Sequence, residues 1–146
     1  MHALLEESRA LLRHQIPDGD LAKLFDRALR ALVREARRTK FAECDRPRSP
    51  TSASPGSSEP AARQIPAGIR RAVAERDRGR CSFVARDGRR CDSRDALEFH
   101  HLVPFARTRR HRVEEITLRC RAHNRYAAIL DFGSDHMSQF LRPTLG

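Results

Sequence analysis

The clearest period in the chain runs from Leu21 to Ala36. Leu21, Leu24, Phe25, Ala28, Leu29, Leu32, Val33 and Ala36 recur at i, i+3, i+4, i+7 spacing, which is one stripe of an α-helix. The opposite face holds Lys23, Arg27, Arg30, Arg34 and Arg37. Ahead of it, residues 3–15 place Leu4, Leu5, Ser8, Leu11 and Leu12 on a second stripe. Pro17-Asp18-Gly19-Asp20 interrupts the two, with Asp18 or Asp20 placed to cap the second helix. The pair predicts a helical hairpin over residues 1–44 that packs on itself or on a second copy of the chain, with a solvated basic face.

Residues 45–64 change character. Pro47, Pro50, Pro55 and Pro60 stand among Ser, Thr, Ala and Gly, and such a stretch lacks the apolar surface to order itself. It reads as a flexible linker to a second unit over 65–146. There, a helix over 67–78 turns Ile69 and Val73 inward and Arg70, Arg71 and Arg76 outward, and Gly79 stops it. Cys81 to Cys91 predicts two short strands around an Asp87-Gly88 turn. A strand over 97–103 ends at Pro104, and a basic loop follows over 107–112. A second strand over 113–119 carries Val113, Ile116 and Leu118, and a helix runs from about His123 to Phe132 before Gly133. The fold class is α+β, and no internal repeat is visible.

Composition sharpens this picture. The chain has 146 residues, 39% apolar and 5% aromatic, with no Trp. That is thin material for a core, so a small domain built from it gains from a metal staple. The net charge of +10 comes mainly from Arg, whose planar fork suits phosphate, and nucleic acid is the expected partner class. No stretch reaches the roughly 20 apolar residues of a membrane span. Met1-His2-Ala3-Leu4-Leu5-Glu6-Glu7 lacks the basic start and apolar run of a secretory signal. The expectation is a cytoplasmic protein that does not engage a membrane. In that compartment thiols stay reduced, and cysteines read as metal ligands sooner than as disulfides.

Two constellations carry chemistry. The first is Cys81-x9-Cys91 followed by Cys120-x2-His123. Three thiolates and one imidazole would close a tetrahedral structural zinc site. The competing reading is a set of buried structural thiols. Cys44 stands outside the pattern as a spare thiol. The second constellation is Glu98-Phe99-His100-His101-Leu102-Val103-Pro104. Adjacent histidines on a strand point to opposite faces, so one can bind a metal while the other faces a substrate as a general base. His2, His14 and His136 have no partner pattern, and His111 reads at most as a phosphate contact in the basic loop.

Taken together, Cys81 to Tyr126 resembles the HNH endonuclease family, whose ββα-metal motif runs from a His-bearing strand through a loop to a second strand and a helix. The wider chain is similar to a group of longer bacterial HNH proteins. They share phrases like Leu12-Arg13-His14-Gln15-Ile16-Pro17-Asp18-Gly19-Asp20, Phe25-Asp26-Arg27-Ala28-Leu29, Leu97-Glu98-Phe99-His100-His101 and Leu118-Arg119-Cys120-Arg121-Ala122-His123-Asn124. The resemblance implies a metal-dependent DNA endonuclease. His101 would be the base that activates water, and His100 and Asn124 would ligate Mg2+ or another divalent cation. Cys81, Cys91, Cys120 and His123 would hold a separate structural zinc. Arg107, Arg109, Arg110 and Arg112 suit backbone phosphates. The chain departs from the family at Glu115, which stands where a middle Asn is usual. An ionised carboxylate accepts hydrogen bonds and cannot donate them, so Glu115 is either recruited by the site or a defect in it. Two further readings are a zinc-stapled nucleic-acid-binding module without turnover and an adaptor that assembles through its N-terminal helices.

Overall fold

The computed structural model describes residues 1–46 and 64–140, and the chain divides into two compact units, Met1–Asp45 and Arg46–Gly146. The linker expected over 45–64 lies almost wholly outside the described residues.

The first unit consists of α1 (His2–Leu12) and α2 (Leu21–Phe41). Asp20, the N-cap of α2, accepts hydrogen bonds from Ala22 N at 2.8 Å and Lys23 N at 3.4 Å, so two of the helix's orphan donors are satisfied locally. Asp18 turns instead to the Lys23 ammonium at 2.7 Å. The helix ends on Ala42 in the left-handed conformation at φ 57°. Both helices form as the stripes predict. Leu24 is the buried side chain of the pair, while Phe25, Leu29, Leu32 and Val33 remain exposed.

The second unit runs α3 (Ala67–Arg76), β1 (Leu97–His101), α4 (Phe105–Thr108), a 3-10 turn (Val113–Glu115), β2 (Ile116–Cys120), α5 (Arg121–Phe132) and α6 (Ser134–Ser138). β1 and β2 form a two-stranded antiparallel sheet that pairs Leu97 with Cys120, Phe99 with Leu118 and His101 with Ile116. The fold is therefore mixed helix and sheet, with the sheet short enough to need support from outside itself. Val73, Leu97, Ile116, Leu118 and Ala127 supply its apolar core, with Cys81 and Cys120 buried beside them. Each fully buried Val, Ile or Leu here contributes about 1.5–3 kcal/mol.

Several boundaries differ from the pattern-based expectation, and each has a local cause. β1 stops at His101 instead of residue 103. Leu102 N still donates to Glu115 O at 2.8 Å, but Pro104 offers no donor to continue the ladder. β2 begins at Ile116 because Glu115 N turns back to Arg112 O at 3.1 Å, winding Val113–Glu115 into the 3-10 turn. Residues 107 and 108 of the expected basic loop belong to α4, which ends on Arg109 at φ 49°. α5 starts at Arg121, capped by Cys120, so His123 sits within its first turn. The segment from Cys81 to Cys91 forms a tight turn at Asp87-Gly88 with a single bridge between Val84 and Arg90 in place of two strands. Its flanking backbone is engaged elsewhere: Cys81 N donates to Ser93 O at 2.9 Å, and Ser82 N to Leu118 O at 2.8 Å.

Arg76, expected to face solvent, is exposed, yet its guanidinium also reaches carbonyls of the second unit. Its guanidinium donates to Val113 O at 2.7 Å and Ile116 O at 2.6 Å, and forks onto the Asp77 carboxylate. Asp77 is 5% exposed and also accepts from Leu118 N at 2.7 Å and Thr117 Oγ1 at 3.0 Å. Burial pushes the Asp77 carboxyl up, but these donors outweigh it and hold it below the ordinary 3.8. The end of α3 is thereby stapled to β2 by an ionised carboxylate.

Candidate metal centre and histidine cleft

The zinc constellation is brought together. The ligand atoms of Cys81, Cys91, Cys120 and His123 all lie within 4.8 Å of one another. The β2–α5 junction supplies Cys120 and His123, while the turn before β1 supplies Cys81 and Cys91. Cys81 Sγ and Cys120 Sγ lie 3.5 Å and 3.2 Å from His123 Nδ1. Bonds of about 2.3 Å to sulfur and about 2.0–2.1 Å to nitrogen at a tetrahedral angle would put these atoms about 3.6 Å apart. The quartet could hold a metal ion, and its donor set and spacing suit zinc in a closed structural site. Cys81 is fully buried, and burial pushes its thiol up, so the thiolate needs a cation to be stable there. His123 stacks on Phe83 with ring centroids 3.9 Å apart at 12°, which fixes the imidazole plane. None of the cysteines is disulfide-bonded, and Cys44 is exposed and does not belong to the quartet.

The histidine pair borders a separate cleft of about 820 Å³, whose lining includes Phe99, His100, His101, Phe105, Arg109 and Asn124. Both rings line it, but with different partners. His100 Nδ1 donates to Asn124 Oδ1 at 2.9 Å. The other end of the amide, Asn124 Nδ2, donates to Glu98 Oε2, so Glu98 sets which amide atom meets His100. Burial, then the Arg119 charge, holds the His100 imidazole below its ordinary 6.5. Burial, then His111, does the same for His101, against the pull of the Glu115 carboxylate. Both rings are therefore neutral near pH 7, the form that can bind a cation or accept a proton.

Two ligands of an octahedral divalent ion at about 2.1 Å stand about 3.0 Å apart when they subtend a right angle. The 2.9 Å between His100 Nδ1 and Asn124 Oδ1 is the length of their hydrogen bond, and such an edge has the same length. Holding a cation there requires the His100 proton to sit on Nε2, leaving the Nδ1 lone pair free.

His101 Nε2 lies 3.0 Å from His111 Nδ1. Glu115 does not reach His101 by a hydrogen bond. Its carboxylate pairs with Arg110 at 2.9 Å, and its carbonyl takes the Leu102 N–H. Arg107, Arg109, Arg110 and Arg112 are all exposed, and Arg109 reaches the cleft while Arg110 is held by Glu115.

Three contributing residues escaped the sequence pattern. Glu98 had a signal, because it stands two positions before His100 and so shares its strand face. Asp77 had none, since its strand partners lie 40 and 41 residues away; His111 had none because an irregular turn, with no period to read, brings it to His101 10 residues earlier. Among the described residues, no helix is long and apolar enough to cross a membrane. Comparison with family models, with curated proteins and with solved structures gives no match.

Proposed function

We propose that this chain is a metal-dependent endonuclease of the HNH, ββα-metal type that hydrolyses DNA phosphodiester bonds. The observation that carries the reading is the pairing of His100 Nδ1 with Asn124 Oδ1 at 2.9 Å beside a second, differently directed histidine on one cleft. The strand, loop, strand and helix order from Leu97 to Phe132 supports it.

His100 and Asn124 would hold a divalent cation such as Mg2+, which supplies Lewis-acid polarisation and charge neutralisation at the scissile phosphate and the leaving 3′ oxygen. His101 takes a proton from the attacking water, a role that its neutral imidazole suits. Arg107, Arg109 and Arg112 bind backbone phosphates from the exposed surface around the cleft. Cys81, Cys91, Cys120 and His123 hold a structural zinc that fixes the start of α5, and with it Asn124, against β1. The cytoplasm is the proposed compartment, where these thiols stay reduced.

Supercoiled-plasmid nicking with magnesium, manganese or nickel, comparing the native chain with His101→Ala, tests this. The expected result is metal-dependent nicking that His101→Ala abolishes while DNA binding persists. A second reading is a zinc-stapled DNA-binding module without turnover. Glu115 favours it, because its carboxylate stands where the family's amide would. DNA binding without nicking under any metal would establish that module in place of the nuclease.

A further inference from the structure

We propose that His111 is the positioning residue for His101, holding its ring plane and its tautomer. The inference rests on the endonuclease reading. His111 lies between α4 and the 3-10 turn, and its ring stacks on Phe105 with centroids 4.7 Å apart at 7°. That contact presents Nδ1 at 3.0 Å from His101 Nε2. His101 packs against the same Phe105, with centroids 5.5 Å apart at 49°. The three rings form one block that fixes the plane of His101.

The bond has two tautomeric forms with different consequences. If His111 Nδ1 carries the proton, His101 Nε2 must accept it. A neutral His101 then has its remaining proton on Nδ1 and no lone pair to offer water. If His111 carries its proton on Nε2, His111 Nδ1 accepts the His101 Nε2–H. His101 then has its proton committed and its Nδ1 lone pair open, which is the form a general base needs. In the reaction, a water O–H proton moves to His101 Nδ1 and the resulting hydroxide attacks phosphorus. The P–O3′ bond breaks, and the 3′ oxygen leaves with a proton from solvent. His111 Nδ1 accepts the same Nε2–H before and after that transfer.

Glu115 cannot substitute for His111. Its carboxylate is held by Arg110 at 2.9 Å, and its contribution to His101 is charge at a distance.

The test combines single-turnover plasmid nicking with histidine 15N shifts that report the His101 tautomer, on the zinc-loaded full chain. His111→Ala is expected to slow nicking by about 10–100-fold, the usual cost of losing a group that orients a site residue. Half-saturation by DNA should stay unchanged, and the melting temperature should fall by only the few degrees that one lost ring stack accounts for. His111→Asn should recover most of the rate, because its Oδ1 can stand where Nδ1 stands and accept. His111→Gln, with its amide one bond further out, should not. The native chain should carry the His101 proton on Nε2, and His111→Ala should mix the two tautomers. Native-rate nicking by His111→Ala, or an Nδ1–H tautomer of His101 in the native chain, overturns the proposal. A native chain that never nicks but keeps an Nε2–H tautomer lost in His111→Ala sinks the nuclease reading and supports the positioning role.

Discussion

Asp77 offers a sharp test of how the second unit holds its site together. The carboxylate accepts from Leu118 N, Thr117 Oγ1 and the Arg76 fork, at 2.7 Å, 3.0 Å, and 2.9 and 3.2 Å. Hydrogen bonds to a charged group contribute about 1.5–3 kcal/mol each. Asp77→Ala leaves the buried Leu118 N–H without that partner and removes one of the ties between α3 and β2, the strand paired with both site histidines. Losing one member of such a buried charged network costs about 3–5 kcal/mol. At about 4–8 °C per kcal/mol for a unit of this size, the melt should fall by at least about 12 °C. Asp77→Asn keeps the shape and one acceptor oxygen but turns an NH2 toward Arg76, so a smaller loss of about 1–2 kcal/mol is expected. Because the folded carboxyl is held below 3.8, its contribution is fully present above that value and fades only as pH falls further. The gap between native and Asp77→Asn should therefore be equal at about pH 6 and about pH 8. Scanning calorimetry of the zinc-loaded chain reads all of this. An Asp77→Ala chain that melts within about 3 °C of native would refute the staple, since that is less than one kcal/mol.

Three further outcomes are expected at the site. Cys120→Ala, or removal of zinc by a chelator, should unfold the second unit, because structural zinc contributes about 10–16 kcal/mol of apparent binding energy to folding; retained methyl dispersion for Ile116 and Leu118 by NMR would contradict this. Glu98→Ala should weaken Mn2+ binding about 10–100-fold by freeing the Asn124 amide to turn, whereas Glu98→Gln, which still accepts, should not; titration calorimetry separates the two. Glu115→Asn should lower the single-turnover rate about threefold to tenfold, because it removes the carboxylate that favours protonated His101; a faster variant would mark Glu115 as a defect in the site.

How much was legible in the sequence depended on the range of the interactions involved. The stripe from Leu21 to Ala36 made α2 readable, because helix hydrogen bonds and amphipathic spacing are local. Asp20 made its start readable for the same reason. Cys120-x2-His123 was legible because one turn at a helix start brings both ligand atoms to a common point. How far the first unit's stripes are covered was not readable: Leu24 is buried, Leu5 and Leu12 are half-buried, and Phe25, Leu29, Leu32 and Val33 stay exposed.

Periodicity marks which residues share a face and where a cap or turn belongs, and on that basis this sequence by itself determined α2, the Gly88 turn and the two-strand unit. The tertiary structure decided what those faces meet. Arg76 reaches Ile116 across 40 residues and Asp77 reaches Leu118 across 41, so the end of α3 is tied to β2 by partners that its own segment does not contain. His111 looked like one more basic-loop residue until the fold set it against His101 and Phe105. A buried donor or carboxylate must find its partner wherever the chain's folding places one, and no local pattern encodes that address.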